Sequence, residues 1–249
     1  MSRRAILPIA IVASLGILLL SIDNVAVGDQ NSAPSVAELR FHRIEPVLKK
    51  FGFPLMTVLW NLTPENPYIY VCWESISKET DDQRQWVKDA IEATWANPKA
   101  SRIQFRGWQQ CATVNKGIRI TIADRGPLTA DLGRQIDGKV GGMLLNLTLV
   151  QWGGNTSCHD SPARLKQCIQ GIAVHEFGHA LGFSHEQNRP DAPGECATLA
   201  QGPDGNNTSL TPYDPSSVMN YCNPIKYNNG VLSMLDIETL QYMYGPPLS

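Results

Sequence analysis

His175-Glu176-Phe177-Gly178-His179-Ala180-Leu181-Gly182-Phe183-Ser184-His185-Glu186 is the stretch that decides how this chain reads. Successive residues of an α-helix turn by about 100°, which places His175 and His179 about 40° and one turn apart. Both imidazoles then reach one zinc ion at about 2.0–2.1 Å. Glu176 stands beside the first histidine, where it can touch a metal-bound water without taking a coordination place. Gly182 can adopt positive φ and end the helix, and the turn that follows can swing His185 round as a third ligand. Three protein ligands leave one position for water, the mark of a catalytic rather than a structural zinc site. In a chain with 5 histidines among 249 residues, His-Glu-x-x-His arises by chance about 0.004 times. His42 and His159 have no such company and read as ordinary surface or loop residues.

Outward from that stretch, Ala163 to Leu181 reads as one helix ending at Gly182. Upstream, Tyr68–Trp73, Arg102–Trp108, Gly117–Ala123 and Met143–Val150 have strand character. Between the first two strands, Thr80-Asp81-Asp82-Gln83 has the form of a capping box. A helix follows through Trp86, Val87, Ala90 and Ile91, and Asn97-Pro98 stops it. The run from Gly142 to Leu147 reads as a buried strand, a strand edge able to pair with an extended peptide, or both. Residues 187–232 show no sustained period. Ser233 caps a last helix with Asp236 at its third position. Strands and a helix, then a helix, then loops and a final helix make an α+β order, without βαβ repeats.

Hydrophobic residues at 43% and charged residues at 18% exclude a disordered chain. A single long apolar run excludes a multi-span membrane protein. The formal charge of −2 gives no basic excess for nucleic acid. Arg3 and Arg4 precede the apolar stretch 5–20, and Ala26-Val27-Gly28 offers small residues ahead of Asp29. This is the layout of a secretory signal over residues 1–28, with an uncleaved membrane anchor as the alternative. All 6 cysteines lie beyond it, and an even count in an exported chain favours disulfides over metal thiolates. Of the roughly 15 pairings open to six cysteines, chain order is the one adopted: Cys72–Cys111, Cys158–Cys168 and Cys196–Cys222.

Downstream of the three histidines lies Ser217-Val218-Met219-Asn220-Tyr221. The histidine stretch together with Met219 resembles the metzincin zinc endopeptidases. Phe183, Glu186, Gln187, Arg189, Pro190 and Asp191, with Tyr221 two after the methionine, resemble the astacin branch. The likeness is strongest over 171–191 and 214–222. It implies a zincin catalytic domain over 67–249, preceded by an N-terminal extension, 29–66, as a candidate propeptide. Such a domain has a twisted, mixed and mostly parallel sheet with two long helices above a cleft. Below lies an irregular part with a C-terminal helix. The resemblance further implies His175, His179 and His185 as ligands of one catalytic Zn²⁺, Glu176 as general base, and Met219 in a turn beneath the metal. Tyr221 matches a tyrosine that binds the metal and later supports the oxyanion. Glu186 matches a residue that salt-bridges the new N-terminus after maturation. Asn220 departs from the histidine usual between Met and Tyr.

The implied protein is a secreted or extracytoplasmic endopeptidase. Its partners are protein or peptide substrates, with neither nucleic acid nor, after signal cleavage, a membrane. The oligomeric state is not legible in the sequence. The competing reading is a catalytically silent, zinc-stabilised binding or adhesion module, against which the intact Glu176 argues.

Overall fold

A computed structural model describes residues 58–63, 65–113, 116–152, 156–200, 211–223 and 225–247. The signal-like segment 1–28, and the extension as far as residue 57, lie outside the described residues.

Alternation of side chains along Tyr68–Trp73 (β1) turns Ile69, Val71 and Trp73 into the core. Four parallel strands are built around β1: Gln104–Gln110 (β2), Ile118–Ile122 (β3) and Met143–Leu145 (β5) join it in the order β2-β1-β3-β5. A two-residue strand, Leu128–Thr129 (β4), closes the sheet antiparallel to β5, with Thr129 opposite Met143. The sheet is therefore mixed and mostly parallel, as the resemblance implied. β4 carries no legible period, which is why sequence alone does not show it. Because β5 is hydrogen-bonded on both sides, the run after Gly142 is a core strand and β4 is the edge. The strand expected as far as Val150 stops at Leu145. Beyond it the Asn146 side chain takes over: Oδ1 accepts from the backbone of Thr148 and Leu149, and Nδ2 donates to Asp124.

Two helices pack against one another and line the core. Asp81–Ala93 (α1) buries Val87, Ala90 and Ile91. Its capping box does not form; the Thr80 hydroxyl oxygen accepts from Arg84 Nε at 3.3 Å instead. Pro162–Ala180 (α2) opens with Ser161 accepting from Arg164 N at 3.2 Å and Pro162 in the first position, the preferred start of a helix. From Gly171 to Ala180 every residue of α2 is buried. A helix buried all round is a central helix, not a surface one, and this half of α2 runs through the middle of the domain. The Trp95 and Trp60 indoles donate to Val174 O and Ala180 O, both at 2.7 Å, pinning it from outside.

Among the described residues, the remaining chain is irregular apart from short 3₁₀ turns, one turn of α-helix at Gly194–Ala197 (α3) and the last helix, Met234–Tyr244 (α4). Ser233 caps α4 as expected, and Asp236 completes a capping box with it. All three disulfides pair in chain order: Cys72–Cys111, Cys158–Cys168 and Cys196–Cys222. Among the described residues, no helix is long and apolar enough to cross a membrane.

Candidate metal centre

α2 delivers His175 and His179 one turn apart, and the chain ends the helix immediately after. Gly182, at φ +99°, supplies the left-handed turn. His185 then comes back against the helix, and all three rings are buried. The Nε2 atom of His185 lies 3.2 Å from that of His175 and 3.1 Å from that of His179. All three candidate ligand atoms fall within 4.8 Å of one another. Tetrahedral bonds of about 2.0–2.1 Å would separate neighbouring ligand nitrogens by about 3.3–3.4 Å, so the spacing suits zinc.

The opposite ring nitrogens fix the tautomers. His175 Nδ1 is 2.8 Å from Val218 O, and His179 Nδ1 is 2.8 Å from Phe183 O. A carbonyl only accepts, so both Nδ1 atoms carry the proton and both Nε2 atoms offer a lone pair to the common point. Burial, and secondarily the neighbouring His185, pushes the His179 pKa down to about 3. The ring stays neutral, the state a metal ligand needs.

Met219 packs against Gly178, between the two helical histidines. A Cβ on Gly178 would crowd the Met219 sulfur and stand 3.2 Å from the Trp95 ring. The glycine between the two histidines is thus the space the methionine occupies. Tyr221 lays its ring against the cluster, with centroids 5.3 Å from His175 and 4.5 Å from His185. Burial and the nearby Glu176 raise its pKa to about 12, which keeps the phenol protonated. Asn220 points away from the ligands and donates to Tyr213 Oη and Asp214 O.

Glu176 is buried, and burial pushes its carboxyl up to about 8 against the opposing hydrogen bond from Thr129. The Thr129 hydroxyl is 2.8 Å from Glu176 Oε2. Glu186, the residue matched to the N-terminal salt bridge, accepts from Asp214 N at 3.0 Å and stands 3.4 Å from Arg189. Desolvation raises it to about 7.

The sequence did not reveal Thr129, the two carbonyl partners of the histidines, or Tyr227. The Tyr227 ring lies 4.8 Å from that of His175. Tyr227 also lines a cavity of about 340 Å³ with Leu149, Trp152, Ile172 and the Cys158–Cys168 disulfide. Cys168, Ile172 and His175 share one helical face, so the cavity adjoins the ligand cluster along α2.

Residues 163–196 match the model of the astacin family of peptidases. The chain is 39% identical over 69 residues to "Zinc metalloproteinase nas-36" of Caenorhabditis elegans, covering 22% of this chain and 11% of that protein. Against "Zinc metalloproteinase nas-25" of the same organism, identity is 30% over 117 residues, or 42% of this chain and 25% of the relative. "Zinc metalloproteinase dpy-31" of Haemonchus contortus is 30% identical over 121 residues, 43% and 19% of the two chains. The matches thus span from about a tenth to a quarter of the length of these relatives. In three dimensions the chain is similar to myroilysin, with a TM-score of 0.52, 21% identity, and coverage of 78% of this chain and 98% of that one. That likeness bears on the fold. Motif, matched segment and histidine geometry make this an astacin-like domain, and its fold is α+β and zincin-like.

Proposed function

We propose that this chain is a secreted, zinc-dependent endopeptidase acting on protein or peptide substrates. One observation carries the reading: three buried imidazoles aim their Nε2 atoms at one point, with a buried glutamate on the same helix. One zinc ion held by His175, His179 and His185 suits that geometry. When bound, it supplies a Lewis acid that makes water a nucleophile at neutral pH and polarises the scissile carbonyl.

The chain's own groups do the rest. Glu176 takes the proton of the attacking water and delivers it to the departing amine. Its raised carboxyl pKa suits a group that must both accept and release a proton near neutrality. Tyr221 is proposed as a further ligand before substrate binds. Its protonated phenol then donates to the oxyanion of the tetrahedral intermediate. β4, the last strand of the sheet order, is the edge on which an extended peptide adds as a strand. The cavity beside His175 receives one side chain of that peptide.

We read residues 1–28 as the export signal, 29–66 as an extension and 67–249 as the catalytic domain. The three disulfides support an oxidising destination outside the cytoplasm.

The test is peptide-library cleavage by the purified protein, with metal analysis of the same sample. Wild type should hold one zinc and cleave; chelation should abolish cleavage and zinc should restore it. Glu176→Gln should keep its zinc and lose at least about 100-fold in rate. Retained cleavage in that variant would overturn the base assignment. Zinc without cleavage in wild type would favour the silent binding module.

A further inference from the structure

We propose that Thr129, on the edge strand, is the positioning residue of the Glu176 carboxylate; the inference rests on the endopeptidase reading above. Thr129 lies in the two-residue strand β4, and its side chain is buried against α2. Its Oγ1 stands 2.8 Å from Glu176 Oε2 and 3.0 Å from Glu176 O. A hydroxyl carries one hydrogen. Both of those oxygens are acceptors while Glu176 is a carboxylate.

The two acceptors belong to one residue, but they differ in freedom. The carbonyl is fixed by the backbone of the buried half of α2, whereas Oε2 sits at the end of three rotatable bonds. The Thr129 hydroxyl therefore refers the mobile oxygen to the fixed one. With Oε2 held, Oε1 is the oxygen that takes the proton from the attacking water. Once Oε1 is protonated, the carboxyl accepts more weakly, and the hydroxyl can turn its hydrogen to Glu176 O without moving its own oxygen. No atom of Thr129 enters the reaction, so it orients and does not catalyse.

The strand it sits on gives the arrangement a second consequence. Thr129 is paired with Met143, and Ala130 N donates to Gly142 O at 2.9 Å. The edge proposed to receive the peptide is therefore also the element that orients the base.

The experiment compares Thr129→Val, which keeps the shape and removes the hydroxyl, with Thr129→Ser, which keeps the hydroxyl. Full-length zinc-loaded proteins are crystallised, and kcat and KM are measured on a peptide that wild type cleaves. In Thr129→Val, the Glu176 carboxylate should swing away from the wild-type position. Its kcat should fall about 10- to 100-fold, the scale of one hydrogen bond to a charged group. KM, zinc content and melting temperature should stay near wild type. Thr129→Ser should recover most of kcat and the wild-type carboxylate position. An unmoved carboxylate in Thr129→Val, an unchanged kcat, or a serine variant as impaired as the valine one would overturn the proposal. If wild type itself cleaves nothing, the endopeptidase reading fails. The carboxylate position in the valine variant still decides this one.

Discussion

Replacing Gly178 by alanine sets two effects of known sign against each other. Gly178 is interior to α2, where alanine is favoured over glycine by about 0.8–1.0 kcal/mol. On propensity alone, Gly178→Ala stabilises. The structure predicts the reverse, because the new Cβ would press into the Met219 sulfur and lie 3.2 Å from both its terminal methyl and the Trp95 ring. Met219 is 1% exposed and Trp95 0%, so neither can yield into solvent. Overpacking of this kind costs about 1–3 kcal/mol, which leaves a net destabilisation of up to about 2 kcal/mol after the propensity gain. For a domain of this size that is a fall in Tm of up to about 8 °C. A double-mutant cycle tests the cause. With Met219→Ala as background, the methionine is gone and Gly178→Ala should change sign, stabilising by up to about 1 kcal/mol. Urea unfolding of the four proteins gives the coupling. The same destabilisation in both backgrounds would refute the claim that the methionine dictates the glycine.

Two further expectations concern stability. The Arg119 guanidinium is bidentate to Glu74, at 2.7 and 3.0 Å, and holds that carboxyl below the usual range. A depressed carboxylate contributes stability above its unfolded pKa and loses it as pH falls through the folded value. The stability difference between wild type and Glu74→Gln should therefore be full at about pH 6 and shrink below about pH 4; a difference that stays constant in acid unfolding would remove the pair from this role. The Cys158–Cys168 bridge closes a separation of 10 residues. Its double alanine replacement should cost about 2–3 kcal/mol, and because the bridge lines the cavity beside His175, it should also raise KM. Unchanged KM alongside lowered stability would detach the cavity from substrate binding.

The sequence showed the centre more clearly than its surroundings, for physical reasons. His175, Glu176 and His179 are related by helical geometry, which is local, so their spacing alone places two candidate ligands and a carboxylate. His185 needs only one glycine turn beyond it. The α+β order was likewise legible, because β1, α1, α2 and α4 each repeat a period for several residues. Thr129 was not, since a two-residue strand has no period and its partner lies 47 residues away. Nor were Val218 O and Phe183 O, because every residue has a carbonyl and only the fold aims it. The capping pattern at Thr80 failed for a related reason. The hydroxyl oxygen had a competing donor in Arg84 Nε, a choice that the four-residue pattern does not record.

The irregular half of the domain shows how a candidate ligand set is held without regular structure. His175 takes its orientation from Val218 O, so the position of Val218 matters as much as that of the helix. Val218 N donates to Asp236 Oδ2 at 3.1 Å, and the Ser217 hydroxyl donates to Asp236 Oδ1 at 2.6 Å. Asp236 is buried, and desolvation pushes its carboxyl up while these bonds and the Ser233 N–H pull it back. It is also the third residue of α4, where its capping box closes the helix start. One carboxylate therefore caps the last helix and, through one backbone unit, sets the tautomer and direction of a ligand far earlier in the chain. On the other side, Gln187 Oε1 accepts from Tyr221 N, and Cys196–Cys222 ties the chain next to it. Moving Asp236 would break the start of α4 and the backbone that orients His175 together, which is how a segment without a hydrogen-bond ladder can hold a candidate ligand in place.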